Sequence, residues 1–278
     1  MALLLGLSNK FKRDTMNLRR HIYNVVAGVA VMLTATACNG LFDGIYDDAP
    51  ASPTITEGQL LVDATSWKDW YYVDFDSLQA YIEKKDTVGL LKAQSHFTPY
   101  HIPSSLSTGT SNGQTGIYTY WFDVFGKGIA VNEKRSFKAT DAQPEPSSWS
   151  LAFHRNNVRT NGGAVLETNY KSMSELPKSS IDFLGANFQT DEWSENEVWF
   201  DQSQMLLSLI GCQGITINKV LSSWLRLDIP PMPPAFTMKS NVYILRLKNG
   251  KYAALQLVNY MNTGGTKCWL TINYKYPY

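Results

Sequence analysis

The imidazole and sulfur side chains of this chain, the ligands for soft and borderline metals, are few: 4 His, 3 Cys and 8 Met in 278 residues. His96 and His101 are five residues apart with Pro99 between them, which is not a metal-ligand spacing, and His154 stands alone. There is no Gly-x-Ser-x-Gly elbow, no His-Glu-x-x-His and no phosphate-cradling Gly-x-x-x-x-Gly-Lys, so the sequence argues against an enzyme. No Cys-x-x-Cys exists for a zinc ribbon or for haem attachment. Cys212 and Cys268 are open to two readings, a disulfide formed in an oxidising compartment or two buried free thiols. Thioethers are left at Met173, Met205, Met232, Met238 and Met261 once the N-terminal segment is set aside.

That segment reads as an address. Lys10, Lys12, Arg13, Arg19 and Arg20 precede an apolar stretch from Val25 to Leu33, which runs into Thr34-Ala35-Thr36-Ala37-Cys38. A basic head, a short apolar run and small residues before a cut site describe a secretory signal. Ending at Cys38 resembles a bacterial lipobox, with Ala35 where Leu is commoner, and makes Cys38 the expected site of lipidation. The alternative is an ordinary signal with a chance Cys. Both Met1 and Met16 are candidate starts, since residues 16–38 already form a complete signal. The expected organisation is a signal peptide at 1–37, a lipidated tether at 38–54 rich in Asp and Pro, and one domain at 55–278.

Setting the leader aside changes the charge. Five of the 25 Lys/Arg and one of the 24 acidic residues lie in it, leaving 20 basic against 23 acidic residues, net −3. Such a chain has no cationic field for phosphates, so a polybasic nucleic-acid binder is excluded. With 8 Trp, 15 Tyr and 12 Phe it has far too much aromatic surface for a disordered segment.

The elements that must position any site read as mainly β. Period-two alternation dominates, with a dense aromatic strand from Ile117 to Phe125. In the next strand Trp149, Leu151 and Phe153 are expected on one face, with Ser150, Ala152 and His154 on the other. Asn161-Gly162-Gly163 turns the chain. Val242–Leu247, Asn249-Gly250 and Tyr252–Tyr260 form the clearest hairpin, and Asn262–Gly265 turns into a last strand from Cys268 to Tyr276. Helical patterning is confined to Asp76–Glu83 and Asn218–Leu227. Pro230–Pro234 reads as an extended connector. The expected fold is an antiparallel β-sandwich-like domain with one or two short helices.

Ser148-Trp149-Ser150-Leu151-Ala152-Phe153-His154-Arg155, followed by Val158-Arg159-Thr160-Asn161-Gly162-Gly163-Ala164, resembles the signature of the HmuY-like haem-binding lipoproteins of the Bacteroidota. Ile217–Trp224, with Lys219 in place of Pro, and Asn241–Gln256 resemble two further family segments. The similarity spans roughly residues 60–278. It implies the HmuY fold and the role of a hemophore in iron acquisition. Its cargo would be haem (iron protoporphyrin IX), taken from host haemoproteins and passed to a TonB-dependent outer-membrane receptor. The protein would be lipid-anchored at the outer membrane or cell surface, or released in soluble form.

The resemblance also implies two axial side chains on loops beside the sheet, His in the founding protein and Met in several relatives. Here the region between the Asn-Gly-Gly turn and Trp224 contains no His; it contains Met173 and Met205. Met173 sits in a polar stretch, Tyr170–Glu175, where packing gives an exposed thioether no reason to exist. Met205 opens an apolar run and has core packing as its ordinary explanation. As a pair they are the expected haem-iron ligands, with Tyr170, Lys171, Trp199 and Phe200 nearby in sequence. His154, mid-strand beside Arg155, reads as a hydrogen-bonding structural residue. The rival expectation is a surface lipoprotein of the same fold that has lost haem and binds a glycan or a partner protein.

Overall fold

The computed structural model describes residues 56–103, 106–107, 116–121, 134–139, 142–202, 209–228 and 234–278. All of them lie in the unit Ala49–Tyr278. The expected sites Cys38 and Met205 fall outside the described residues, as do the leader and most of the Pro230–Pro234 connector.

The alternation seen in the sequence becomes three larger antiparallel sheets. One orders β1 (Gln59–Asp63), β17 (Lys267–Lys275), β16 (Tyr252–Met261), β15 (Tyr243–Arg246), β9 (Ala164–Glu167) and β10 (Gln189–Thr190). A second orders β3 (Pro99–His101), β2 (Asp69–Val73), β7 (Leu151–His154) and β8 (Asn157–Thr160). A third orders β11 (Glu192–Asp201), β12 (Leu209–Ile217), β5 (Gly116–Trp121), β6 (Lys134–Ala139) and β4 (Leu106–Ser107). A separate two-stranded ribbon pairs β13 (Leu225–Asp228) with β14 (Ala235–Met238). The C-terminal meander β15–β16–β17 is the one the turns at Asn249-Gly250 and Asn262–Gly265 foretold.

Strand periodicity explains how these sheets stack. Leu151, Phe153 and Val158 of the four-stranded sheet join Tyr243, Leu245, Ala253, Leu255 and Ile272 of the six-stranded one in the main core. On their other face Trp70 and Ala152 pack with Val198, Phe200, Ile215 and Ile217 of the five-stranded sheet. The four-stranded sheet is thus a middle layer covered on both sides, which adds a third layer to the expected sandwich. This is why Leu151–His154 and Asn157–Thr160 are buried at every position, where a one-sided strand would alternate with solvent.

Three local expectations are corrected. Trp149 does not share a face with Leu151 and Phe153 but packs in the second core beside Ala152. The reason is a bend before the strand: Ser150 N–H donates to the Val73 carbonyl, and its hydroxyl accepts from Phe75 N–H, so regular pairing begins at Leu151. The helix expected over Asn218–Leu227 is a single turn at Lys219–Ser222, after which Leu225–Asp228 is strand. A helix at Thr87–Ser95 was not foreseen, since only Leu90 and Gln94 are buried and Gly89 weakens it. Its start is held by Asp86, whose carboxylate accepts from Gly89 N–H at 2.9 Å. The helix at Phe75–Glu83 stands where the apolar spacing put it, capped by Asp74.

Candidate functional site

The family-like segment Ser148–Ala164 is occupied with holding the layers together. His154 is 0% exposed, with Nδ1 2.9 Å from the Asp69 carbonyl of β2 and Nε2 3.0 Å from the Trp199 carbonyl of β11. It therefore ties the middle sheet to the five-stranded one, as the structural reading of this residue anticipated. A neutral imidazole has one N–H, so only one of the two carbonyls can accept from it. Burial pushes the ring down from 6.5 to about 4, against the upward pull of the two carbonyls and the Asp69 carboxylate and with a downward push from Arg155. Arg155 adopts a left-handed backbone (φ 53°), donates to the Thr65 carbonyl at 2.7 Å and lies 3.6 Å over the Trp67 ring.

The rest of the segment is equally committed. Arg159 pairs with Glu145 at 2.8 Å. Thr160 gives both its N–H and its hydroxyl to the half-buried Asp191 carboxylate, each at 2.8 Å. Asn161 donates to the Trp149 carbonyl. Gly162 has φ +67°, and a Cβ on Gly163 would sit 2.9 Å from the Arg246 carbonyl. Asp191, which also accepts from Asn218, carries no signal in the sequence because its partners, Thr160 and Asn218, come from two separate stretches of the chain.

The second face of the six-stranded sheet carries Met173. Val242, Ile244 and Ala254 point away from the main core and form an apolar patch with Phe183, against which Tyr170, Met173, Leu176, Phe188, Tyr252 and Tyr278 pack. Met173 is half-buried and opens a 3₁₀ turn capped by Ser172. The thioether thus has a packing partner that the polar neighbours in sequence concealed, which corrects the expectation of an exposed side chain. The stretch is pinned by Tyr170 accepting from Val242 N–H, by Gln256 donating to the Lys171 carbonyl at 2.6 Å, and by Lys171 Nζ on Asn241 at 2.6 Å. Beside it Ile181 and Leu184 are 67% and 68% exposed, unusual for large apolar residues.

Of the four neighbours of the two Met in sequence, Tyr170 shares the Met173 patch and Lys171 adjoins it in the chain. Phe200 is buried in the second core, and Trp199 stacks on Trp67 at 6.3 Å. His96 and His101 are exposed; His101 Nδ1 contacts the Asp69 carboxylate and His96 Nδ1 the Ser95 hydroxyl. Cys212 and Cys268 are free and buried, and burial raises both thiols, Cys268 to about 11. Two clefts open elsewhere. One of 340 Å³ is bordered by Trp199, Asn156, Asn196 and Lys219, and one of 230 Å³ by Asp74, Trp149 and Lys248.

The arrangement of signature and sheets has its counterpart in known proteins. The family model described as HmuY protein matches residues 66–274. The chain belongs to the HmuY family. Among solved structures it is similar to a candidate lipoprotein of Bacteroides fragilis, with 29% identity, 81% of this chain and 94% of that chain covered, and a TM-score of 0.51. It is also similar to a candidate HmuY-like haem-binding protein of Bacteroides vulgatus, at 27% identity, 82% and 99% coverage and a TM-score of 0.51. Apo PinO from Porphyromonas gingivitis shares the fold at 18% identity, with 81% and 97% covered and a TM-score of 0.56. No curated protein matches.

Proposed function

We propose that this member of the HmuY family binds haem as cargo and serves iron acquisition as a hemophore. The observation that carries the reading is the family match over residues 66–274 together with 27% identity, across 82% of the chain, to a relative described as haem-binding. Met173 and Met205 are the proposed axial ligands. Met173 suits the role chemically: it lies in an aromatic patch with Tyr170, next to Lys171, a cation for a propionate. Anchoring through lipidated Cys38 at the outer membrane, capture from host haemoproteins and delivery to a TonB-dependent receptor complete the proposal.

Thioether sulfur is a soft neutral ligand that favours ferrous over ferric iron and raises the haem potential. Haem held by two Met should therefore bind more firmly under reducing, anaerobic conditions. The test is reconstitution of residues 38–278 with haemin, with Soret spectra recorded before and after dithionite. A Soret shift lost in Met173→Ala and in Met205→Ala supports the ligand pair. Unchanged spectra in both variants refute it, and a colourless protein refutes haem binding.

A further inference from the structure

The 340 Å³ cleft beside Trp199 shares no residue with the Met173 patch and is bordered by an indole, side-chain amides and charged groups. Its size lies at the lower end of small-molecule pockets, about 300–1,000 Å³. Its wall is rigid. Trp199 stacks on Trp67 with rings 19° from parallel, Trp67 is covered by Arg155, and Trp199 Nε1–H donates to the Asn196 carbonyl at 2.8 Å. A preorganised indole loses little freedom when a ligand settles beside it.

The polar lining divides into spent and unspent groups. Asn157 donates to the Glu197 carbonyl and Ser222 bonds Val158, so both are committed to the fold. Among the described residues, the side-chain amides of Asn156 and Asn196 make no hydrogen bond, though both border the cleft. Each offers one acceptor and two donors, a pattern that matches adjacent hydroxyls.

Charge decides which sugar. Lys219 lies between Glu192 and Glu197, at 3.7 and 3.6 Å, and Arg226 is paired with Asp228 at 2.8 Å. The cations bordering the cleft are thus matched by carboxylates, and a carboxylated or sulfated sugar finds no uncompensated positive charge there. We propose that this cleft binds a neutral saccharide, its ring against the part of Trp199 that borders the cleft and its hydroxyls on Asn156 and Asn196. The site would let the protein hold a glycan at the same time as any cargo on the Met173-bearing loop, with which it shares no residue.

The experiment is saturation-transfer NMR on the full chain, with lactose and N,N′-diacetylchitobiose as neutral probes and N-acetylneuraminic acid as the anionic one. The expected result is transfer to ring protons of at least one neutral probe. Asn156→Ala combined with Asn196→Ala should weaken that binding about tenfold, as loss of hydrogen bonds to a ligand predicts, with the thermal midpoint unchanged. Trp199→Phe, which keeps a stacking ring on Trp67, should weaken it less. No transfer from either neutral probe at about 10 mM overturns the proposal. So does binding that survives the double substitution, or equal binding of N-acetylneuraminic acid. Haem spectra are read on the same samples, so failure here leaves the haem reading standing on its own evidence.

Discussion

Replacing His154 with Gln should change how stability depends on pH, and the direction follows from where the ring sits. In the folded chain His154 is fully buried and holds its proton only below about 4, whereas an unfolded imidazole takes it up at 6.5. As pH falls through 6.5 the unfolded chain gains a proton that the folded chain refuses, so stability drops until about pH 4 and then levels off. The gap between the two values corresponds to roughly 3 kcal/mol, with full stability above 6.5. Other carboxylates contribute to the pH dependence as well, including Asp191, raised by burial. The difference between wild type and His154→Gln therefore isolates the histidine. Urea unfolding of both proteins from about pH 7.5 to 4 should show the wild-type advantage shrinking by about 3 kcal/mol. The opposing force is the pair of carbonyls at 2.9 and 3.0 Å, which would both be satisfied only by an imidazolium. A wild-type advantage that widens toward pH 4 would refute the reasoning, as would two ring N–H signals for His154 at neutral pH in nitrogen-15 spectra.

Other outcomes follow from the same geometry. Met173→Leu keeps the apolar patch filled, so the thermal midpoint should stay within a few degrees while the Soret shift on haemin addition is lost; Met173→Ala should lose both. Gly163→Ala drives a methyl to within 2.9 Å of the Arg246 carbonyl, and chemical denaturation should report a loss of about 1–3 kcal/mol, typical of overpacking. Phe153→Ala removes a ring stacked on Trp224 at 6.3 Å and wholly inside the main core; a destabilisation of about 3–5 kcal/mol is expected in the same assay. Cys212 and Cys268, buried thiols held protonated, should react with a thiol reagent only at the rate of unfolding, and immediate labelling in native buffer would contradict the placement.

Much of the architecture was legible in order of residues alone. The meander Tyr243–Lys275 is written as alternating apolar residues around Asn-Gly and Gly-Gly turns, because register and turn chemistry are local. The segment from Trp149 to Gly163 marks the family, yet its side chains prove to be the joints between sheets. Which layer each residue faces was not legible. Trp149 and Leu151 share a period, and only the bend at Ser150 sends them into different cores. Met173 looked exposed because its sequence neighbours are Lys, Ser and Glu; its true neighbours, Phe183, Val242 and Tyr252, are brought to it by the six-stranded sheet. The Trp199 cleft, built from three separated stretches, leaves no trace in any one of them.

The amino-acid order by itself determined the C-terminal meander, its turns and the family, since each depends on side-chain alternation and backbone preference within a few residues. Tertiary structure alone decided that the middle sheet is covered on both faces, which two carbonyls His154 lies between, and that Met173 is seated on an aromatic patch. Those outcomes depend on contacts between residues tens of positions apart, where burial and desolvation are properties of the assembled layers and not of any single stretch.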